Sequence, residues 1–234
     1  MVDRGGAQRI PRPPGTRLGG PPPWAGFEIE RESLGLVAVR SRLAVMAPAL
    51  HVVEHYESRE AAVLVALYDD AGETHVVLTK RPETMPSHQG EIAFPGGKRE
   101  PGDATLAAAA LREAREEVGL AADAVEVVAE LDSISTVATA FTITPVVGLL
   151  AAKPVLRPDP VEVVAAFGVP LTELLETYRE EMWDLWGEYR SMAFFELAGE
   201  TVWGATARIL TRLLTVLTTR PGPDPETDAN RPLG

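Results

Sequence analysis

Cysteine is absent from this chain of 234 residues, and so are other features that mark particular classes of protein. Without cysteine, neither a disulfide framework nor a thiolate metal site is possible. No apolar run approaches the roughly 18 residues that a membrane-spanning helix requires. The N-terminus also lacks the continuous apolar stretch of a secretory signal. These absences predict a cytoplasmic protein that is not inserted into a membrane.

Positive charge is also scarce, because 22 lysines and arginines stand against 34 aspartates and glutamates, for a net charge of −12. A chain this acidic has no general electrostatic surface for nucleic acid, so we expect no nucleic-acid partner. An anionic substrate would be repelled unless a cation or local basic groups intervened. The 45% hydrophobic content is enough for the core of one ordinary globular domain.

Proline and glycine concentrate at the two ends of the chain. Residues 1–25 contain six prolines and four arginines, which predicts a mostly disordered arm that docks through Trp24 and Phe27. Residues 220–234 contain four prolines and are expected to form a flexible tail. The remaining residues, 26–219, are predicted to form a single domain.

Apolar runs and helical periodicities alternate within this domain. The patterns predict strands at 61–68, 75–80, 91–94, 125–131, 143–150, 161–169 and 191–197, and helices at 104–118, 171–178 and 205–217. Strands mixed with helices in these numbers indicate an α/β sandwich.

The helix at 104–118 carries an unusual set of carboxylates. Glu113, Glu116 and Glu117 have i, i+3, i+4 spacing and share one face, where like charges repel by roughly 0.2–0.5 kcal/mol per pair. Glu116 and Glu117 also oppose the helix dipole, and Arg112 is the one obvious compensating partner. A solvated charged face is one interpretation. The other is that a divalent cation joins the three carboxylates, since Mg²⁺ prefers hard oxygen ligands.

A glycine-rich loop precedes this helix. Phe94 and Pro95 end a short strand, and Gly96 and Gly97 then allow close approach of other groups to the backbone. Such a loop is suited to carrying phosphates or presenting a carbonyl oxygen to a metal, although a plain tight turn has the same composition.

The segment from Gly97 to Leu120 resembles the Nudix box. Arg112-Glu113, Glu116-Glu117 and Gly119-Leu120 match its second half without departure. The first half departs, because the acid is Asp103 rather than glutamate and one extra residue separates it from Arg112. We interpret Asp103 as the N-cap of the helix. The resemblance implies a Nudix-type α/β/α sandwich with a mixed sheet and a hydrolase of a diphosphate linkage in a nucleotide derivative.

The resemblance also implies roles for particular residues. Glu113, Glu116 and Glu117 would hold Mg²⁺ or Mn²⁺ together with the carbonyl of Gly97. Glu113 would be the general base, with Arg112 orienting it. The candidate substrate contacts are Arg81, His88, Gly96, Gly97 and Lys98. For three of these an alternative stays open: a surface ion pair for Arg81, a loop hydrogen bond for His88 and simple solvation for Lys98.

A narrower resemblance concerns the segment before the box. Residues 78–81 and 87–97 are similar to the signature of the coenzyme A diphosphatase branch, with Pro82 and Pro86 as departures, and segments 141–148 and 203–210 also resemble it. The branch implies cleavage of coenzyme A, or its acyl or oxidised forms, to 3′,5′-ADP and a 4′-phosphopantetheine product. The alternatives are another Nudix specificity (ADP-ribose, dinucleoside polyphosphates or nucleoside triphosphates) and a non-hydrolytic binding module. A homodimer is compatible with all of them.

Overall fold

The computed structural model describes residues 4–46, 49–50, 58–84, 88–136 and 140–219. The predicted tail at 220–234 lies outside them. In these ranges the helices are α1 (Leu36–Ala44), α2 (Leu106–Val118), α3 (Leu171–Thr177) and α4 (Gly204–Thr218). The strands are β1 (Arg17–Leu18), β2 (Arg59–Asp70), β3 (Glu73–Lys80), β4 (Ile92–Ala93), β5 (Gly96–Lys98), β6 (Val125–Glu130), β7 (Ile134–Thr136), β8 (Phe141–Leu150), β9 (Ala165–Pro170), β10 (Tyr178–Leu185), β11 (Glu188–Leu197) and β12 (Glu200–Val202).

The main sheet has the order β4-β3-β2-β8-β6, with β5 paired to β2, β7 to β8 and β9 to β3. The sheet is mixed, because β2 and β8 run parallel while its other pairs are antiparallel. Successive side chains of a strand point to opposite faces. On β2, Leu64 and Ala66 therefore join a core with α2, whereas Val65 and Leu67 join a core with α1, α3 and α4. The predicted α/β sandwich with a mixed sheet is confirmed.

A second sheet, of order β1-β10-β11-β12, packs beside the first. Its buried residues Phe195, Leu197 and Val202 belong to the same core as α4. Of the two strands of the β10–β11 hairpin, the sequence predicts only the second, at 191–197. Its first strand is polar at Arg179, Glu180 and Glu181, and these side chains find partners that are distant in sequence.

The structure places the described part of the 1–25 arm, for which disorder is predicted, against the second sheet. Residues from Arg4 onward lie along the second sheet, where β1 pairs with β10 and Gly19 N donates to Glu180 O at 2.8 Å. Arg12 forms an ion pair of 2.9 Å with buried Glu181, and Trp24 is buried. The arm is ordered because paired charges and one buried aromatic outweigh its proline and glycine content. Phe27 stays exposed.

Two further differences concern element bounds. The strand predicted at 161–169 begins only at Ala165, because Val163 N and Glu162 N both donate to Asp159 O and form a turn. The helix α1 was not predicted, since its short sequence has only a weak apolar pattern. In the described residues, no helix has the length and apolar character needed to cross a bilayer.

Candidate active site

The N-terminus of α2 is built differently from the prediction. Thr105, not Asp103, is the N-cap, and its hydroxyl accepts a hydrogen bond of 3.0 Å from Ala108 N. Asp103 is buried two residues earlier, where it accepts from Glu100 N at 2.8 Å and from Arg112 Nε and Nη2 at 3.1 Å each. The hydrogen bonds from Arg112 hold the pKa of Asp103 below its ordinary value. Asp103 therefore anchors Arg112 instead of capping the helix.

Small side chains bring α2 close to the main sheet. Ala109, Ala110 and Ala114 are fully buried against it, and the helix ends at Gly119 in the left-handed conformation with φ of 71°. This close packing places the middle and the end of α2 against β5, the strand that contains Gly96 and Gly97. The two halves of the box thus meet in space.

Two carboxylates of α2 face the glycines directly. Gly96 N donates to Glu117 Oε2 at 3.1 Å, and a Cβ on Gly97 would lie 2.5 Å from the carboxylate of Glu113. Burial raises the pKa of Glu117 from 4.5 to about 7, and the charges of Glu113 and Glu162 add to this rise. Burial likewise raises the pKa of Glu113. Both groups are therefore held where their charged forms need a compensating cation.

Arg112 is the main cation beside these acids. Besides Asp103, it contacts Glu113 Oε1 at 3.0 Å, Glu116 Oε2 at 3.0 Å and the carbonyl of Lys98 at 3.0 Å. The hydrogen bonds that Arg112 donates to Asp103 raise the pKa of Arg112 further above its already high ordinary value. Glu116 lies outward, with a side chain that is 60% exposed. The structure therefore joins Glu113 and Glu117 at the glycines and leaves Glu116 at the solvent edge.

A metal was expected on three of these carboxylates. In the described part of the chain, no group of three or more histidine, aspartate and glutamate side chains converges tightly enough to hold an ion. Two carboxylates beside the glycine backbone of β5 nevertheless suit a hard cation. Mg²⁺ usually takes one or two protein carboxylates and keeps several waters. The donor set of Glu113, Glu117 and Gly97 fits such an ion.

The other predicted substrate contacts lie around this centre. Arg81 follows β3, and its Nε is buried without a hydrogen-bond partner in the described residues. Its charge is close enough to Glu117 to lower that carboxyl's pKa. His88 Nδ1 makes a 2.8 Å hydrogen bond with Glu91 Oε2, which raises the pKa of His88. Lys98 follows Gly97 on β5 and is exposed.

One acid near the site was missed at the sequence level. Glu162 lies in the turn before β9, where Asp159 N donates to Glu117 O at 2.8 Å and Val164 N donates to Lys80 O at 2.8 Å. These bonds hold the turn between the end of α2 and the end of β3, and the charge of Glu162 is near enough to raise the pKa of Glu113 and Glu117. Its sequence surroundings are rich in proline and carry no motif, so no local signal marks it.

Gly97→Ala is expected to damage the site without unfolding the protein. The added Cβ would lie 2.5 Å from the carboxylate of Glu113, so that carboxylate must move away from the loop. We expect activity to fall by about 10²-fold, since a misplacement near 1 Å has effects of this size. Gly102→Ala is the matched control, because a Cβ there meets nothing within 4 Å and its backbone needs no unusual φ. Equal activities of the two variants would contradict the close packing of Glu113 against Gly97.

Known proteins resemble this chain over most of its length. The model of the NUDIX domain family matches residues 58–193, a range that contains β2, β5, α2 and the turn with Glu162. The chain is 36% identical over 217 residues to "Nudix hydrolase 22, chloroplastic" of Arabidopsis thaliana, covering 86% of this chain and 70% of that protein. It is 35% identical over 195 residues to "Uncharacterized Nudix hydrolase NudL" of Citrobacter koseri, covering 82% and 100%.

One solved structure is similar to part of this chain. The crystal structure of a Nudix hydrolase from Alicyclobacillus acidocaldarius covers 69% of this chain and 93% of its own, with 20% identity and a TM-score of 0.46. The family model covers more than half of the chain, and the two relatives match 86% and 82% of it. The chain therefore belongs to the Nudix family and is a hydrolase that acts on diphosphate-containing substrates.

Proposed function

We propose that this hydrolase cleaves the diphosphate linkage of coenzyme A, or of its acyl or oxidised forms, to 3′,5′-ADP and a 4′-phosphopantetheine product. The main observation in support of a hydrolytic site is that Glu113 and Glu117 converge on Gly96 and Gly97. The choice of coenzyme A is supported by the resemblance of residues 78–97 to the coenzyme A diphosphatase branch. The end of this segment is the loop that the two carboxylates contact.

The proposed cofactor is Mg²⁺, with Mn²⁺ as a substitute. Glu113, Glu117 and the carbonyl of Gly97 would hold it, and Glu116 would reach it from the solvent edge. When bound, such an ion neutralises diphosphate charge and lowers the pKa of a coordinated water. Without a cation, the acidic side chains of the site would repel an anionic substrate. The net charge of −12 on the chain would add to this repulsion.

Glu113 is the proposed general base. Its carboxylate contacts Arg112 at 3.0 Å, and Arg112 is itself fixed by buried Asp103. In the reaction, the oxygen of a water attacks one phosphorus atom and its proton passes to the carboxylate of Glu113. The bond from that phosphorus to the bridging oxygen breaks, and the bridging oxygen leaves with the second phosphate. Arg112 keeps the base in one orientation throughout.

Arg81 is proposed to bind a substrate phosphate. A guanidinium nitrogen that is buried without a partner is costly unless a ligand satisfies it, and Nε of Arg81 is such an atom among the described residues. We expect Arg81→Met to lower kcat/KM by about 10- to 100-fold, since a charge-assisted hydrogen bond contributes roughly 1.5–3 kcal/mol. Arg190→Met, which removes an exposed arginine on β11, serves as the control. Full activity of the Arg81 variant would contradict phosphate binding by Arg81 and would assign the residue a structural role.

The test of the proposed function is a substrate panel with Mg²⁺. Coenzyme A, ADP-ribose, NADH, diadenosine polyphosphates and nucleoside triphosphates are compared, and products are separated by chromatography. The expected result is release of 3′,5′-ADP from coenzyme A well above any other turnover, with loss of activity in EDTA. Dominance of another substrate would overturn the coenzyme A assignment. No turnover with Mg²⁺ or Mn²⁺ would overturn hydrolysis itself in favour of a binding module.

A further inference from the structure

Two consecutive basic residues at the end of β3 lie on opposite sides of the main sheet. Side chains alternate along a strand, and on β3 Leu78 belongs to the core with α4 whereas Val77 belongs to the core with α2. Lys80 therefore points to the same side as Leu78. Arg81 follows it and lies near Glu117, whose pKa its charge lowers. The lysine thus faces away from the site, and the proposed phosphate ligand faces it.

Lys80 is fixed through both its side chain and its backbone. Its Nζ lies 2.5 Å from Oε1 of Glu200, the first residue of β12, and this ion pair is partly buried. Its carbonyl accepts a hydrogen bond of 2.8 Å from Val164 N, and its backbone pairs with Ile92 of β4. The contact with Glu200 joins the second sheet to the end of β3.

The N-terminal arm fixes Glu200 in turn. Gln8 Nε2 donates to Glu200 Oε2 at 2.7 Å, and Thr201 N donates to Gln8 Oε1 at 3.1 Å. Gly6 N donates to Thr201 Oγ1 at 2.9 Å. Each oxygen of the Glu200 carboxylate therefore has its own partner, one on the arm and one on β3. A continuous set of contacts runs from the arm through Glu200 to Lys80.

Arg81 depends on a rigid backbone at this point. Its Nε is buried without a hydrogen-bond partner in the described residues, which is unfavourable until a ligand binds. The side chain would gain by moving out to solvent, and a firmly held strand end opposes that movement. Arg81 N donates to Glu91 O at 3.0 Å, and the preceding residue is held by Glu200. A displacement near 1 Å is enough to weaken a positioned contact severely.

We infer that Glu200 is a positioning residue for substrate binding. By holding Lys80 it fixes Arg81 where that guanidinium meets a substrate phosphate, and Gln8 makes the arm part of this support. The inference rests on the proposed function, since it takes Arg81 as a phosphate ligand. It applies to any diphosphate substrate and does not depend on the nucleotide.

Two variants with opposite changes of charge test the inference. Glu200→Gln and Lys80→Met should each lower kcat/KM about tenfold, chiefly by raising KM, because the contact with a substrate phosphate is loosened. Long-range electrostatics predicts opposite effects, since Glu200→Gln makes the chain less negative and would favour an anionic substrate. Glu188→Gln has the same charge change at an exposed position of β11 and serves as the control. Unchanged or improved kcat/KM in Glu200→Gln would overturn the inference.

Binding of inorganic pyrophosphate in Mg²⁺, measured by calorimetry, separates positioning from a general loosening of the fold. Glu200→Gln should weaken this binding about tenfold in the wild type and have no further effect in the Arg81→Met protein. Equal weakening in both backgrounds would overturn the inference. So would an absence of pyrophosphate binding, or binding that Arg81→Met leaves unchanged.

The same titration distinguishes the inference from the proposed function, because it requires no turnover. If coenzyme A is not hydrolysed but the effect of Glu200→Gln depends on Arg81, the coenzyme A assignment fails and the positioning role stands. If coenzyme A is hydrolysed but the two substitutions act independently on pyrophosphate binding, the assignment stands and the positioning role fails.

Discussion

Glu117→Gln is expected to abolish most activity and at the same time to stabilise the metal-free protein at alkaline pH. The loss of one carboxylate from the cation site should lower kcat by about 10²–10³-fold, because a bound metal contributes several kcal/mol to the transition state. The side chain is buried, and its amide oxygen can still accept from Gly96 N. The fold is therefore expected to be retained.

The stability effect follows from the raised pKa of Glu117. Burial moves this pKa from 4.5 to about 7, so the folded protein keeps a proton that the unfolded chain releases between these values. The resulting contribution to stability is complete below pH 4.5 and is lost as pH rises through about 7. At pH 8 the buried anion makes folding less favourable by about 3 kcal/mol, which the neutral glutamine removes.

Thermal unfolding in EDTA and in Mg²⁺ measures both effects. In EDTA, Glu117→Gln should raise Tm by several degrees at pH 8 and by little at pH 5, since about 1 kcal/mol corresponds to roughly 2–4 °C in a chain of this size. Added Mg²⁺ should raise the Tm of the wild type and not that of the variant. A variant less stable than the wild type at pH 8 in EDTA would show that the carboxylate serves packing rather than a cation.

The second large effect is expected at Trp24. This side chain is 5% exposed in the core, with its ring centre 5.1 Å from that of Tyr178. Trp24→Ala should lower the free energy of unfolding by about 3–5 kcal/mol, as replacement of buried aromatic residues by alanine does. Urea unfolding followed by circular dichroism would measure it.

Phe27→Ala is the matched control for the same segment. Phe27 is three residues away and 44% exposed, so its removal should change stability by about 0.5 kcal/mol or less. If both variants unfold at the wild-type urea concentration, residues 4–25 do not pack as described. If both are equally destabilised, Phe27 has a role in packing that its exposure does not indicate.

The sequence was most informative where the determinants are local. The helix α2, its end at Gly119 and the shared face of Glu113 and Glu117 depend on spacing within about four turns, and spacing is visible in a single chain. The approach of Gly97 to Glu113 is also implicit in the box. Its physical reason, a backbone with no room for a Cβ, appears only in the structure.

The missed features depend on contacts between distant segments. Asp103 was interpreted as a cap because its residue type and position suit that role, yet Thr105 caps the helix and frees Asp103 to bind Arg112. The arm was interpreted as disordered because composition does not reveal that Arg12 meets Glu181, 169 residues away. Glu162 has no motif because its place at the site is set by backbone bonds from a turn to α2 and β3.

The pairing of β1 with β10 also constrains how the protein is made. Arg17 leaves the ribosome long before its strand partner Met182 is synthesised. At about 5–20 residues per second, the delay is roughly 10–30 s. During this time the arm has no sheet to join, and Trp24 stays in water or in transient contacts. Residues 4–25 are thus translated well before β10 and are among the last to reach their native position.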